Sequence, residues 1–185
     1  MATRSATPRR LYIPDIEIAN ARIYGRPNFA GLERTHNGRI VNSAGNRNFC
    51  IELPDDGIRL ADGKGTPVTP EELINMGWTN IRARVDEDQN ISCYWMVVKV
   101  NFGNRPAVVW SVTGNKRVKV DESTIDLFDG RNFNRIDLTV HPSVRQDWDT
   151  GETAISAYLA EGFFYVRTSS FEDAWQNEHP EEFEF

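Results

Sequence analysis

The chain has 185 residues, 39% hydrophobic and 11% aromatic, with 21 basic and 27 acidic side chains for a net charge of −6. That length fits one domain with a sizeable core, and the hydrophobic content excludes a disordered chain. No apolar run approaches the roughly 18 residues of a membrane helix, and "MATRSATPRR" at the N-terminus has no apolar h-region, so a cytoplasmic protein is expected.

The charge is unevenly divided. From Phe171 onward there are six acids and no Lys or Arg, which leaves 21 basic and 21 acidic residues in 1–170. The expected organisation is therefore a neutral body, 1–170, with an N-terminal basic arm, and an acidic tail, 171–185. Inside the body, Arg22, Arg26, Arg34, Arg39 and Arg47 stand against a single acid, Glu33, between Asn20 and Asn48. Such asymmetry concerns partners and fields rather than fold.

In chain order, the arginine-rich "RPNFAGLERTHNGRIVNSAGNRNF" is too long and too rich in Gly and Asn for a tight hairpin. It reads as a mobile loop or flap. "RNFCIEL" follows as a strand. "TPEELINMG" has a Thr cap, Pro at the first helical position, acids in the first turn and a terminal glycine, which predicts a short helix. "YWMVVKVNF" alternates, with Tyr94, Met96, Val98, Val100 and Phe102 on one face and Trp95, Val97, Lys99 and Asn101 on the other. "VVWSVT" and "RVKV" are further strands, "DESTIDLFDG" a second short helix. "RIDLTVHP" places Ile136, Leu138 and Val140 inward, and "AISAYLAEGFFYVR" closes the body as a strand. Cys50 and Cys93 fall in strands without CxxC spacing and predict buried free thiols. Many short strands, few helices and no βαβ rhythm predict a mainly-β domain, a small barrel with long loops that closes its own edges.

Catalytic patterns are sparse. His36, His141 and His179 have no HxxxH or HExxH spacing, so no metal site is expected. "DWD" at Asp147–Asp149 adjoins Thr150-Gly151 and reads as turn acids capping backbone amides. The "GKG" at Gly63–Gly65 lacks Walker spacing, and no nucleophile elbow or dinucleotide fingerprint occurs. No catalytic residue and no cofactor are assigned.

What remains is a binding chemistry. Trp95 and Lys99 share the polar side of one strand. Trp110 is followed by Lys116, Arg117 and Lys119, and Tyr158 lies opposite Ile155, Ala157 and Leu159 on its strand. Flat rings beside cations are what single-stranded nucleic acid requires: bases stack and phosphates track the charge. The alternative for each ring is core or barrel-end packing. The candidate nucleic-acid contacts are Arg22, Arg26, Arg39, Arg47, Trp95, Lys99, Trp110, Lys116, Arg117, Lys119 and Tyr158.

The order of "NFAG…GNRNFCIEL", "YWMVVKVNFGNRPAVVW", "VDESTIDLFDG", "IDLTVHPSVRQDW" and "AISAYLAEGFFYV" resembles the single-stranded DNA-binding proteins of bacteriophages, over roughly residues 20–168. The resemblance implies an OB-like barrel that coats single strands during replication or recombination in an infected bacterial host. The tail fits the same class, whose members commonly end in an acidic, flexible segment with a final aromatic. By that likeness Glu181, Glu182, Phe183, Glu184 and Phe185 form a hook for replication or recombination proteins; composition separately predicts disorder from about Asn177 onward. An oligomer is compatible with this reading. Two rivals stand beside it. One is a structural or assembly protein of a virion; the other is a nuclease-like enzyme using Asp147, Asp149 and His141 with a divalent metal.

Overall fold

A computed structural model describes residues 12–146 and 149–168 of the chain. Eleven strands lie among these residues: β1 (Ile16–Ile23), β2 (Arg34–His36), β3 (Arg39–Asn42), β4 (Arg47–Leu53), β5 (Ile58–Leu60), β6 (Arg82–Val85), β7 (Ile91–Val100), β8 (Val108–Thr113), β9 (Lys116–Val120), β10 (Phe133–Gln146) and β11 (Thr153–Val166). Helix α1 (Pro70–Asn75) lies between β5 and β6, and a 3-10 helix (Ile125–Gly130) precedes β10.

Five strands close on themselves. β7 pairs with β4, β4 with β1, β1 with β10 and β10 with β11, all antiparallel; β11 then returns to β7 in parallel. This is the expected mainly-β, OB-like barrel, with β5, β6 and the β8–β9 hairpin added at its margins. Period-2 alternation fills the interior: Phe49, Ile51, Met96, Val98, Ile136, Leu138, Val140, Ala157 and Leu159 all point in and are buried. Gly162, opposite Leu138 on β10, faces the same interior. A Cβ there would stand 2.9 Å from the Phe164 ring, so glycine makes the room that Phe164 occupies. Phe164 joins Phe29, Phe49, Phe128 and Phe133 in a cluster of edge, tilted and stacked contacts with centroids 4.9–5.7 Å apart.

Both expected helices are present, with one difference. Thr69 caps α1 and Pro70 opens it, as the sequence predicts, and Glu72 reaches back to complete a capping box. The segment after Val120 winds instead as a 3-10 helix that includes Gly130. The helix itself begins at Ile125, and Asp121 opens the turn before it, accepting from the Ser123 amide and hydroxyl, bonds that hold its carboxyl below the usual range. The "GKG" loop has the same kind of explanation. Asp62 accepts from the amides of Lys64 and Gly65 and from Thr66 Oγ1, which also lowers its pKa.

The long Arg-rich connection between β1 and β4 is more ordered than a structureless loop. It carries the β2–β3 hairpin, turned at Asn37-Gly38, both with positive φ, as a two-residue primed turn requires. Its base is clasped to the barrel. Asn28 is 1% exposed, exchanges backbone hydrogen bonds with Asn48, and holds Leu32 through both ends of its side-chain amide. Phe29 plugs the core, while Asp129 accepts from the amides of Phe29 and Ala30 at 2.7 and 2.8 Å. Gly31 has φ +68°, and a Cβ there would sit 3.1 Å from Arg47 Cγ. The "NFAG" motif is thus a fastening that fixes where the flap leaves the barrel.

Candidate nucleic-acid interface

The outward side chains of β1, β4, β6, β7 and β11 form three rows set by strand register. The first runs Arg82–Trp95–Glu52–Arg22 across β6, β7, β4 and β1. In the second, Cys50 faces Val97, and Tyr24, whose amide donates to the Cys50 carbonyl, follows on the β1 side. The third is Asn48–Lys99–Tyr158. Alternation alone puts Trp95, Val97 and Lys99 on one side of β7, while barrel closure brings Tyr158 beside Lys99.

The rings and cations on this surface touch. Trp95 stacks on Tyr24 with centroids 5.8 Å apart and planes 23° from parallel, and the Arg82 guanidinium lies 5.6 Å from the Trp95 ring. Lys99 Nζ sits 5.7 Å from the Tyr158 ring centre and donates to Ser156 Oγ at 3.1 Å. The flap stands over the third row. Between them is a cleft of about 690 Å³ lined by Ile40, Val41, Arg47, Val97, Lys99 and Tyr158 among others. Ile40 and Val41 are 59% and 63% exposed, and Val97 is 41% exposed, so the cleft offers apolar contact as well as charge. Cys50 and Cys93 are free thiols, half-buried on this outer side rather than in the core. Burial, aided by Cys93, pushes the Cys50 pKa up to about 11, so its sulfur stays protonated and inert at neutral pH.

The other predicted site residues divide. Arg22, Arg26 and Arg39 are exposed, Arg39 on the flap hairpin. Arg47 shares the inward parity of Phe49 and Ile51; it ion-pairs with Glu122 at 3.1 Å and lies 6.0 Å from the Phe102 ring. Arg34, in the same cluster, is a brace that donates to the carbonyls of Arg26 and Pro27. Trp110, Lys116, Arg117 and Lys119 are on the β8–β9 hairpin, beside a later stretch of β11 than Tyr158. There Trp110 stacks on Phe163 at 6.4 Å, donates from Nε1 to Glu161 and lies 4.7 Å under Arg117. Tyr165, with Arg135 4.1 Å above it, extends this second cluster. Tyr24, Arg82, Phe163, Tyr165 and Arg135 were not among the expected residues.

His141 Nδ1 and Asp15 Oδ1 are 2.7 Å apart, so the histidine offered for metal chemistry is engaged by a different acid. Among the described residues no group of three or more His, Cys, Asp or Glu could hold a metal ion, and no helix is long and apolar enough to cross a membrane. Asp147, Trp148 and the whole tail, including Glu181, Glu182, Phe183, Glu184 and Phe185, lie outside the described residues, as does the N-terminal basic arm.

A closed five-strand barrel of this strand order, with a long loop over its β4–β7 face, defines the class of OB-like barrels. A family model described as "Putative phage ssDNA-binding domain" matches residues 7–181, and the chain belongs to that family. Two similar solved structures are the single-stranded DNA-binding protein from bacteriophage Enc34 and its C-terminal truncation. The first is 10% identical with TM-score 0.49, covering 88% of this chain and 90% of that one. The truncation is 9% identical with TM-score 0.49, covering 84% and 88%. No curated protein matches the chain.

Proposed function

We propose that this protein binds single-stranded DNA without sequence preference and coats it during phage replication or recombination in the cytoplasm of an infected bacterium. The observation that carries the reading is the Arg22–Trp95 and Lys99–Tyr158 register on the β4–β7 face of a chain in this family. Bases stack on Tyr24, Trp95 and Tyr158; phosphates follow Arg22, Arg26, Arg39 and Lys99, with Arg47 at the floor of the cleft. Trp110, Lys116, Arg117 and Lys119 extend the path along β11. Stacking serves every base, which is why the binding needs no sequence. No step of this function requires catalysis. The acidic tail recruits partner proteins: Phe185 enters an apolar pocket while Glu181, Glu182 and Glu184 meet basic residues around it, with Phe183 alongside. Titration with oligo-dT tests the whole reading. Tryptophan fluorescence should be quenched, with an affinity that falls steeply as salt rises. An unquenched protein would favour a structural role in the virion, and magnesium-dependent cleavage of the strand would favour an enzyme.

A further inference from the structure

Beyond the start of the flap lies a second concentration of positive charge. A cleft of about 590 Å³ is lined by Arg22 and Arg26 from the end of β1, by Arg131 and Phe133 at the start of β10, and by Arg167 just past β11. Four guanidiniums there face one carboxylate, Asp129, both of whose oxygens are committed to the Phe29 and Ala30 amides. All four arginines are exposed, and none has an ion pair or side-chain hydrogen bond with a described residue. The ion pairs between described residues lie elsewhere, Arg47 with Glu122 and Arg135 with Asp137. Four like charges around one cleft repel each other, so an anion held among them is favoured over the empty site. The three barrel ends that supply them meet by topology. β1 and β11 finish, and β10 begins, at the same rim of the barrel.

We propose that this cleft is a second anion site that grips the phosphodiester backbone of the bound strand. It carries the strand from the Tyr24–Trp95 stack over β1 and onto the 131–134 segment. The inference rests on the single-strand reading and adds Arg131 and Arg167 to it. Continuity supports the assignment. Tyr24 lies between Arg22 and Arg26 in the chain, so the stacked pair and the cleft share one stretch of backbone, and Arg22 belongs to both the Trp95 row and the cleft. Arginine suits the task because its fork meets phosphate oxygens bidentately and stays charged.

The test compares wild-type protein, Arg131→Gln/Arg167→Gln, Arg131→Lys/Arg167→Lys and a charge-matched control, Arg59→Gln/Lys64→Gln, in oligo-dT titrations at several salt concentrations. Thermal melts check that each is folded. Each phosphate that a variant no longer neutralises lowers the log–log salt slope by about 0.7 on single strands, so the glutamine pair should show a slope shallower by about 0.7 to 1.4. Its affinity at low salt should fall by about tenfold or more. The lysine pair should keep most of the slope, and the control pair should change little. Equal behaviour of the glutamine and control pairs would overturn the proposal. Unaltered strand binding by the glutamine pair, with loss of its inorganic phosphate binding, would assign the cleft to a free anion and overturn it as well. A wild-type protein that binds no oligo-dT would overturn the single-strand reading itself, a result distinct from either.

Discussion

Trp95 on β7 and Tyr24 just past β1 are stacked 5.8 Å apart across β4, with Arg82 on the β6 side of the indole. A ring held this way on an outer sheet face is pre-ordered for a flat partner. Ordering an exposed aromatic on binding costs conformational entropy, and here its neighbours have already fixed it. Trp95→Ala should therefore weaken oligo-dT binding by about 1–3 kcal/mol while leaving the fold intact, and Tyr158→Ala should do the same. Trp110→Ala should also lower the melting temperature, because that ring is packed on Phe163 and bonded to Glu161. Fluorescence titration with melting curves separates the two effects. Unchanged affinity in folded Trp95→Ala and Tyr158→Ala proteins would end the stacking proposal.

The arginines of the flap should split in the same way. Arg39 is exposed on the hairpin, so Arg39→Gln should flatten the salt slope at little cost in stability. Arg47 is tied to Glu122 and packed near Phe102, and Arg47→Gln should destabilise the protein by about 1 kcal/mol. Chemical denaturation gives one number and salt titration the other. If Arg47→Gln left stability untouched, its structural assignment would fail.

Much of this was legible in the sequence because it is local. Alternation alone placed Trp95 and Lys99 outward and Tyr158 opposite Leu159, while the Thr cap and Pro70 marked the start of α1 where it is found. The same alternation in "RNFCIEL" already set Arg47 on the side of Phe49 and Ile51, a clue that its charge would need a partner. β1 escaped notice because its period breaks at Asn20. There φ is +61°, the pairing register shifts, and the freed amide donates to Asp137. Tyr24 and Arg82 could not be found that way, since they meet Trp95 only through strand pairing across long stretches of chain. The separation of Trp110 from Trp95 has a similar origin. β7 breaks at Asn101 before β8 resumes along the same edge of β11, and β11 shifts register against β10 after Leu159.

Cys50 provides a chemical probe of the β4–β7 face. Its pKa is raised to about 11 by burial, with Cys93 adding to the shift, so at pH 8 it is overwhelmingly the neutral thiol. The thiolate is the nucleophile, and alkylation should be slow at pH 8 and rise about tenfold per pH unit toward 11. Peptide-resolved mass spectrometry after iodoacetamide treatment reads this directly. Rapid labelling of Cys50 at pH 8 would contradict the environment described for it.

Removing residues 177–185 deletes four glutamates, two phenylalanines and His179. Those acids repel phosphate and compete for a basic surface, so the truncated protein should bind single strands as well as before or more tightly. The gain should be largest at low salt, where the Debye length is about 30 Å at 0.01 M against about 8 Å at physiological strength. Deleting Phe185 alone should abolish much of the binding to a replication or recombination partner while barely changing DNA affinity. Pull-downs paired with oligonucleotide titrations check both. A truncated protein with weaker DNA binding, or one that retains its partners, would remove the tail from this account.

The strand is expected to lie on the face made by Arg22, Trp95, Lys99 and Tyr158. Ultraviolet cross-linking of oligo-dT to the full-length protein, followed by peptide mapping, tests it most directly. Cross-links should fall on the peptides containing Tyr24, Trp95 and Tyr158 and disappear at high salt. Cross-links confined to Trp110, Phe163 and Tyr165, with none on Tyr24, Trp95 or Tyr158, would place the strand elsewhere and contradict the account.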